Sequence, residues 1–201
     1  MKKIGIVTAG ILALFCLSGC TSNKNSLKIS PDQPLTKVGQ YHEADSENPK
    51  LTLISIKDMD TTKKNSDISF KFGKAKLIKV EATKDSQLEN DEGNMGIKLP
   101  KTYYQYQLDY TLKNNSDHII SDEGADIILP NGKQLSTNEG AIDSLIGEKI
   151  QPHAEKDGFI QAKVNKSDKD KLIKFKFVTP ELDNANGERL GMHQITVKFG
   201  E

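Results

Sequence analysis

The most reactive side chains of this chain are its two thiols, Cys16 and Cys20. A cysteine can serve as a catalytic nucleophile, a metal ligand, half of a disulfide or a site of covalent attachment. The segment around the thiols decides among these chemistries.

The segment before Cys20 has the composition of a secretory signal. Met1-Lys2-Lys3 is positively charged, and the apolar run from Ile4 to Leu17 carries no charge. This run has fourteen residues, whereas a helix needs roughly 20 to span a bilayer. The sequence therefore predicts a signal peptide over residues 1–19 rather than a permanent transmembrane anchor.

The end of that segment, Leu17-Ser18-Gly19-Cys20, resembles a bacterial lipobox. The resemblance implies that diacylglycerol is attached to the Cys20 thiol and that the chain is cleaved between Gly19 and Cys20. Two acyl chains give a stable membrane anchor, since each buried methylene contributes about 0.8 kcal/mol. We therefore expect a lipoprotein on the outer face of the cytoplasmic membrane. The alternative is an ordinary secretory signal that is cut at a small residue nearby.

Lipidation would leave the mature chain with no free thiol, because Cys16 is removed with the signal peptide and Cys20 carries the lipid. A cysteine nucleophile, a cysteine-ligated zinc and a disulfide are then excluded. Removal of Lys2 and Lys3 also leaves 26 basic against 28 acidic groups. The chain thus lacks the basic field that a nucleic-acid partner requires.

Residues 20–50 are predicted to form the lipidated N-terminus and a disordered tether. The stretch from Thr21 to Lys50 is rich in Ser, Asn, Asp, Lys and Pro and has no sustained apolar period. Fully extended, it would reach about 100 Å. The remaining residues, 51–201, are enough for one domain with its own core.

Alternation with a period of two dominates that domain. The clearest run is Tyr103–Leu112, in which Tyr106 and Leu108 share the apolar face and Gln107 lies on the polar face. Between Leu53 and Ile54 the apolar parity switches, which predicts a β-bulge or burial on both faces. Further strand candidates are Ile68–Phe72, Ile173–Phe177, Ile195–Phe199, 51–57, 75–82, 125–129, 133–136 and 158–164.

Turn residues separate these strands at short intervals. Lys113–Asp117 should end the long strand, Pro130-Asn131-Gly132-Lys133 predicts a hairpin, and Gln151–Gly158 predicts another reversal. Asn138–Lys149 has near-helical spacing and predicts one short helix or ordered loop. Many short strands without a long helix indicate an all-β fold, an antiparallel β-sandwich.

Three blocks of this domain are similar to an immunoglobulin-like domain family of unknown function found in Gram-positive lipoproteins. They are Tyr104–Asp117, Ile127–Lys133 and Gln151–Ile160. The match covers roughly Leu51 to Gly200 and implies an immunoglobulin-like β-sandwich on a lipoprotein, with no catalytic residues to transfer. The sequence departs from the family at His153-Ala154, where the family often has Gly-Glu.

No motif in the chain indicates an enzyme or a cofactor. The histidines are dispersed, and the nucleophile, phosphate-loop and zinc-protease motifs are missing from the sequence. Asp122, Glu123 and Asp126 could offer carboxylate oxygens to Ca²⁺. Because they lack the spacing of a regular calcium loop, we interpret them as a solvated turn and predict no metal site.

Two functions remain compatible with the sequence. The favoured one is a non-catalytic binding or accessory module near the membrane, with a protein or cell-envelope partner. The alternative is a small-ligand or metal-ion binding lipoprotein associated with a transporter.

Overall fold

The computed structural model describes residues 27–64, 67–179, 182–184 and 196–198. For residues 196–198 it describes the backbone alone. The predicted signal peptide, the cleavage site and Cys20 lie outside the described residues. So do Ile195 and Phe199, at the two ends of the last predicted strand.

The described residues form thirteen strands and one α-helix. The strands are β1 (Tyr41–His42), β2 (Lys50–Lys64), β3 (Ile68–Glu81), β4 (Thr102–Asn114), β5 (Ile120–Asp122), β6 (Asp126–Ile128), β7 (Gln134–Leu135), β8 (Ala141–Asp143), β9 (Lys149–Ile150), β10 (Glu155–Val164), β11 (Lys176–Val178), β12 (Leu182–Asn184) and β13 (Thr196–Lys198). The helix α1 spans Glu89–Met95, and 3₁₀ turns cover Asp85–Gln87, Lys166–Asp168 and Leu172–Lys174.

A six-stranded sheet in the order β1-β2-β3-β4-β10-β8 forms the frame of the domain. Its pairs are all antiparallel, and the longest strands, β2 to β4, follow one another as a meander. Two small antiparallel sheets, β13-β11-β6-β7 and β12-β5-β9, contribute to the core on one face of the large sheet. The predicted all-β sandwich-like fold is confirmed.

The face of the large sheet that packs against the small sheets is called the inner face here, and its opposite the outer face. Aromatic rings fill the inner core: Phe177 lies 5.0 Å from Phe72 and 5.4 Å from Phe70 between ring centroids. Tyr106 stacks on Phe175 at 4.0 Å. Tyr106 and Leu108 are fully buried, as the alternation in β4 predicts.

The pairing of β2, β3 and β4 shifts register at three places: between Leu53 and Ser55, between Asp58 and Thr61, and between Phe72 and Ala75. The register of β2 against β3 shifts between Leu53 and Ser55, which confirms the bulge predicted from the parity switch. The shift between Phe72 and Ala75 falls between Ile68–Phe72 and 75–82, which the sequence predicts as two separate strands. Because the bulge restores the parity, both Phe72 and Ala75 belong to the inner core and β3 continues as one strand.

A smaller core covers part of the outer face. Its buried members are Leu35, Leu53, Ile78, Val80, Leu88, Met95, Leu99 and Tyr103. Helix α1, which the sequence analysis missed, contributes to it. Its sequence is polar and contains glycine, so it has no apolar period from which a helix could be predicted.

The predicted tether is wrong for residues 27–50. Leu35 is 4% exposed within the outer core, and β1 pairs with β2. The Gly39 N–H donates to the Leu53 carbonyl at 2.8 Å, and the Tyr41 N–H donates to the Leu27 carbonyl at 2.8 Å. The folded part therefore begins no later than Leu27. A two-residue strand and one buried leucine give no periodic signal over so polar a segment.

The segment Asn138–Lys149, which the sequence predicts to be a short helix or an ordered loop, is an ordered loop that contains β8 and a turn. Two other local predictions need correction. The reversal at Gln151–Gly158 is shorter than predicted, because β10 begins at Glu155. Ile173 lies in a 3₁₀ turn, and β11 begins only at Lys176.

Gln105 is a further difference. It lies on the predicted polar face of β4 but is only 4% exposed, because the segment from Pro31 to Leu35 lies over that part of the sheet. In the described ranges, no helix combines the length and apolar character needed to cross a bilayer.

Candidate functional site

The outer face of the sheet carries a groove of about 560 Å³ where β3, β4 and β10 run side by side. Side chains on this face alternate with the inner core residues of the same strands, which is why polar groups collect here. We call this cavity the outer groove; residues lining it include Lys71, Asp109, Thr111, Ser144, Asp157 and Phe159.

A loop after β8 forms one wall of the outer groove. The Ser144 N–H donates to the Phe159 carbonyl at 3.0 Å, and the Phe159 N–H donates to Ser144 Oγ at 2.8 Å. Leu145 lies over Gly158 so closely that a Cβ at that glycine would stand 2.6 Å from Leu145 Cγ. Gly158 therefore permits the loop to lie against β10.

Hydrogen bonds within and between strands hold the polar side chains of the groove in place. Thr111 Oγ1 donates to Asp157 Oδ1 at 2.6 Å. Asp109 accepts from Gln107 at 2.6 Å and pairs with Lys76 at 3.0 Å. The carboxylates are thus oriented before any ligand arrives, which lowers the cost of ordering on binding.

Beneath the loop lies a buried pair of carboxyl groups, Asp122 and Asp143. Asp143 is 2% exposed and accepts three hydrogen bonds, from Tyr110 Oη at 2.6 Å, the Ala125 N–H at 2.8 Å and the Leu145 N–H at 3.0 Å. Donors of this kind favour the ionised form, whereas burial raises the pKa of Asp143 and outweighs them.

Asp122 has a poorer environment for a charge. It is fully buried, and its Oδ1 accepts from the Gly124 N–H at 2.7 Å. Its Oδ2 has no hydrogen-bond partner among the described residues. Burial, followed by the repulsion of Asp143, raises the pKa of Asp122 to about 7. We infer that the Asp122 carboxyl group is protonated below neutral pH, while Asp143 continues to accept its three hydrogen bonds.

The carboxyl pair fixes the wall of the groove. Asp143 binds the Leu145 N–H, and the Asp122 carbonyl accepts from the Gly147 N–H at 2.7 Å. Tyr110 and Leu145 both line the outer groove and both donate to Asp143. Two hydrogen bonds therefore connect Asp143 directly to residues that line the groove.

The solvated turn predicted for Asp122, Glu123 and Asp126 is wrong for Asp122, which is fully buried at the end of β5. Glu123 is exposed, and Asp126 accepts from Gln134 at 2.6 Å. In the part of the chain that the structure describes, no group of three or more histidine, cysteine, aspartate or glutamate side chains could hold a metal ion.

Three histidines are described, His42, His118 and His153, and none of them lines the outer groove. His42 Nε2 lies 2.8 Å from the Gln33 carbonyl, and His153 Nε2 lies 3.0 Å from Asp117 Oδ1. His193 is outside the described residues.

Sequence reasoning missed Asp143 and the role of Tyr110. The alternation places Tyr110 on the inner face, which is correct, but gives no sign that its hydroxyl meets a carboxylate. Asp143 belongs to a three-residue strand too short to show a period. An aspartate after Ala141-Ile142 is the only available hint of a buried acid.

Comparison with known proteins supports the fold alone. No family model matches the chain, and no curated protein matches it. One similar solved structure is described as a functionally unknown protein from Listeria monocytogenes EGD-e, with a TM-score of 0.51 and 16% identity, covering 75% of this chain and 86% of that one. The resemblance to the immunoglobulin-like lipoprotein family stays a prediction.

Proposed function

We propose that this protein is a lipoprotein, anchored through diacylglycerol on Cys20 at the extracellular side of the membrane, whose domain is a non-catalytic binding module. The outer groove is the observation that carries the proposal. It lies mainly on the outer face of the sheet, although the inner-core residues Tyr110 and Leu145 also line it, and its polar side chains are already oriented. A protein or cell-envelope component is the expected partner.

Binding explains the groove better than catalysis does. Its two carboxylates already bind neighbouring side chains, Asp109 with Lys76 and Asp157 with Thr111. Among the described residues, no histidine lines the groove, and histidine is the side chain that most often serves as a general base. Phe159, at 36% exposure, offers an apolar contact beside these polar groups.

The volume of the groove also supports the second candidate function, a small-ligand binding lipoprotein that serves a transporter. About 560 Å³ falls within the range of roughly 300 to 1,000 Å³ for small-molecule sites. The open sheet face favours the larger partner, because a small-ligand site usually buries most of its ligand.

Photo-crosslinking in intact cells tests the proposal. A benzophenone amino acid replaces Phe159 in the full chain, which keeps an aromatic ring at the groove. The matched control carries the same group at Lys169, an exposed position beyond the far end of β10. We expect a discrete adduct from position 159 and none from position 169.

The nature of the adduct separates the two candidates. An adduct with an envelope protein or wall polymer supports the binding module, and an adduct with a transporter subunit supports the alternative. Identical patterns from both positions, or no adduct from either, would contradict a role for the groove.

A further inference from the structure

The early start of the folded domain limits its distance from the predicted anchor. Seven residue steps separate Cys20 from Leu27, which is at most roughly 25 Å of chain. A domain of this size has a radius of gyration of about 15 Å. If Cys20 is lipidated, the connecting chain is therefore too short for the domain to lie one domain diameter away from the membrane. One surface of the domain must then stay near the lipid.

The apolar side chains that face solvent mark one such surface. Among the described residues, the exposed large hydrophobic side chains are Leu27, Val38, Ile146 and Phe159, and the two most exposed are Val38 at 59% and Leu27 at 49%. Both of these lie in the segment that follows the anchor directly.

Leu27 and Val38 belong to the same edge of the sheet. The Leu27 side chain lies against Gly39, 3.4 Å from the position that a Cβ would take there. The Leu27 carbonyl accepts from the Tyr41 N–H, so this stretch runs beside β1. We call residues 27–29 and 37–42 the anchor edge.

We propose that the anchor edge rests on the membrane surface, with Leu27 and Val38 inserted at the level of the lipid headgroups. This inference rests on the proposed lipidation of Cys20. Exposed Lys37 adjoins Val38, and exposed Lys28, which pairs with Glu43 Oε2 at 3.7 Å, adjoins Leu27. Basic side chains are attracted to anionic lipids. Apolar side chains with neighbouring lysines are typical of segments that lie in the interface.

This orientation turns the outer groove away from the membrane. Tyr41, Thr52, Lys79 and Tyr104 lie in one register row, and Thr111 of the groove is seven residues further along β4, or roughly 24 Å. From β1 to β10 the sheet crosses four strand spacings, or roughly 19 Å. The groove therefore occupies the corner diagonally opposite the anchor edge.

Fluorescence quenching tests the orientation. The cleaved, lipidated protein has no other free thiol, so Val38→Cys can be labelled with an environment-sensitive dye. The matched control is Ile146→Cys, which has a similar exposure of 45% but lies beside the groove. Both labelled proteins are reconstituted into phosphatidylglycerol–phosphatidylcholine vesicles, with and without lipids that carry nitroxide in the headgroup region.

We expect at least about twofold quenching at position 38 and little at position 146, since nitroxide acts only at short range and the anchor edge is within the interface. Combining Leu27→Ser with the label at position 38 should weaken the quenching. Equal quenching at positions 38 and 146, or none at either, would overturn the proposed orientation.

Mass spectrometry of the same samples separates the two failures. A lipid adduct on Cys20 together with equal quenching overturns the orientation but leaves the anchor intact. A mature chain without the adduct overturns both the lipidation and the inference that rests on it.

Discussion

The two faces of strand β4 have opposite properties although they share one backbone. On the inner face Tyr106, Leu108 and Leu112 are fully buried in the aromatic and aliphatic core. On the outer face Gln107 and Asp109 are held by hydrogen bonds to each other and to neighbouring strands. The inner face packs the main core, and the polar part of the outer face is where we propose that a partner binds.

The difference between the faces predicts unequal tolerance to substitution. A dry, closely packed core loses stability when atoms are removed, because the cavity does not fully collapse. A polar, half-exposed row of side chains loses little stability on substitution, because water can replace the hydrogen bonds that are removed. Stability should therefore follow the inner face, and binding should follow the outer one.

The largest effect is expected for Leu108→Ala, which removes buried atoms at the centre of the inner face. It should lower the free energy of unfolding by roughly 2 to 5 kcal/mol. Gln107→Ala, its neighbour on the outer face, should cost less than about 1 kcal/mol, since it loses only solvent-accessible hydrogen bonds. Denaturant unfolding of both variants measures the contrast. A larger loss for Gln107→Ala would mean that the register of β4 is wrong.

The next largest change in stability is expected from the buried carboxyl pair. This pair lies where Tyr110 of the inner face meets the wall of the groove. Asp122 has a pKa of about 7 in the folded protein, well above the ordinary aspartate value of 3.8. The folded state therefore binds an extra proton between these pH values, and the contribution of Asp122 to stability is lost as the pH rises from about 4 to 7. Other carboxylates change the stability too, so the test needs a matched variant.

Asp122→Asn removes this titration while keeping an oxygen for the Gly124 N–H. Relative to the wild type, the variant should gain stability as the pH rises from 4 to 7, by on the order of 3 kcal/mol, and the gain should then level off. Unfolding measured at several pH values gives this difference directly. A difference that stays constant from pH 4 to 8 would show that Asp122 is ionised throughout.

Asp143→Asn should behave in the opposite way. An amide cannot accept the three hydrogen bonds from Tyr110, Ala125 and Leu145, and its NH₂ group would face one of these donors. We expect a loss of roughly 1 to 3 kcal/mol at neutral pH. Thermal unfolding provides the measurement, and an Asp143→Asn variant as stable as the wild type would contradict the assigned hydrogen bonds.

The inner face was the part of the fold that the sequence could predict. Period-two alternation depends on burial of one side of a strand, so β4 and the bulge after Leu53 are visible in the residues themselves. The outer core was not, because Leu35 and helix α1 cover the sheet from segments with too few apolar residues to form a pattern. Covering segments of this kind are recognised only when the surface below them is known.

The candidate site was predictable only in part, for a related reason. The sequence singled out Asp122 but grouped it with Glu123 and Asp126, its neighbours along the chain. In the fold its partner is Asp143, brought beside it by the sheet and the turn after β8. Two groups that come together only in the tertiary structure have no characteristic spacing in the sequence. The residues that line a groove on an open sheet face have none either.

The outer groove is proposed to bind a partner, while the inner face maintains the fold. Two exposed groove residues, Lys71 and Phe159, can be changed together as Lys71→Glu and Phe159→Thr, with Lys169→Glu as the control. Since the altered side chains are on the surface, each protein should unfold within about 0.5 kcal/mol of the wild type.

The decisive measurement is crosslinking and recovery of the full-length protein from intact cells, with the recovered partner quantified. We predict that the wild type and Lys169→Glu recover the same partner in equal yield and that the groove variant loses most of it. If the groove variant, folded and equally abundant, recovered the partner as well as the wild type, the outer groove would not be the binding surface.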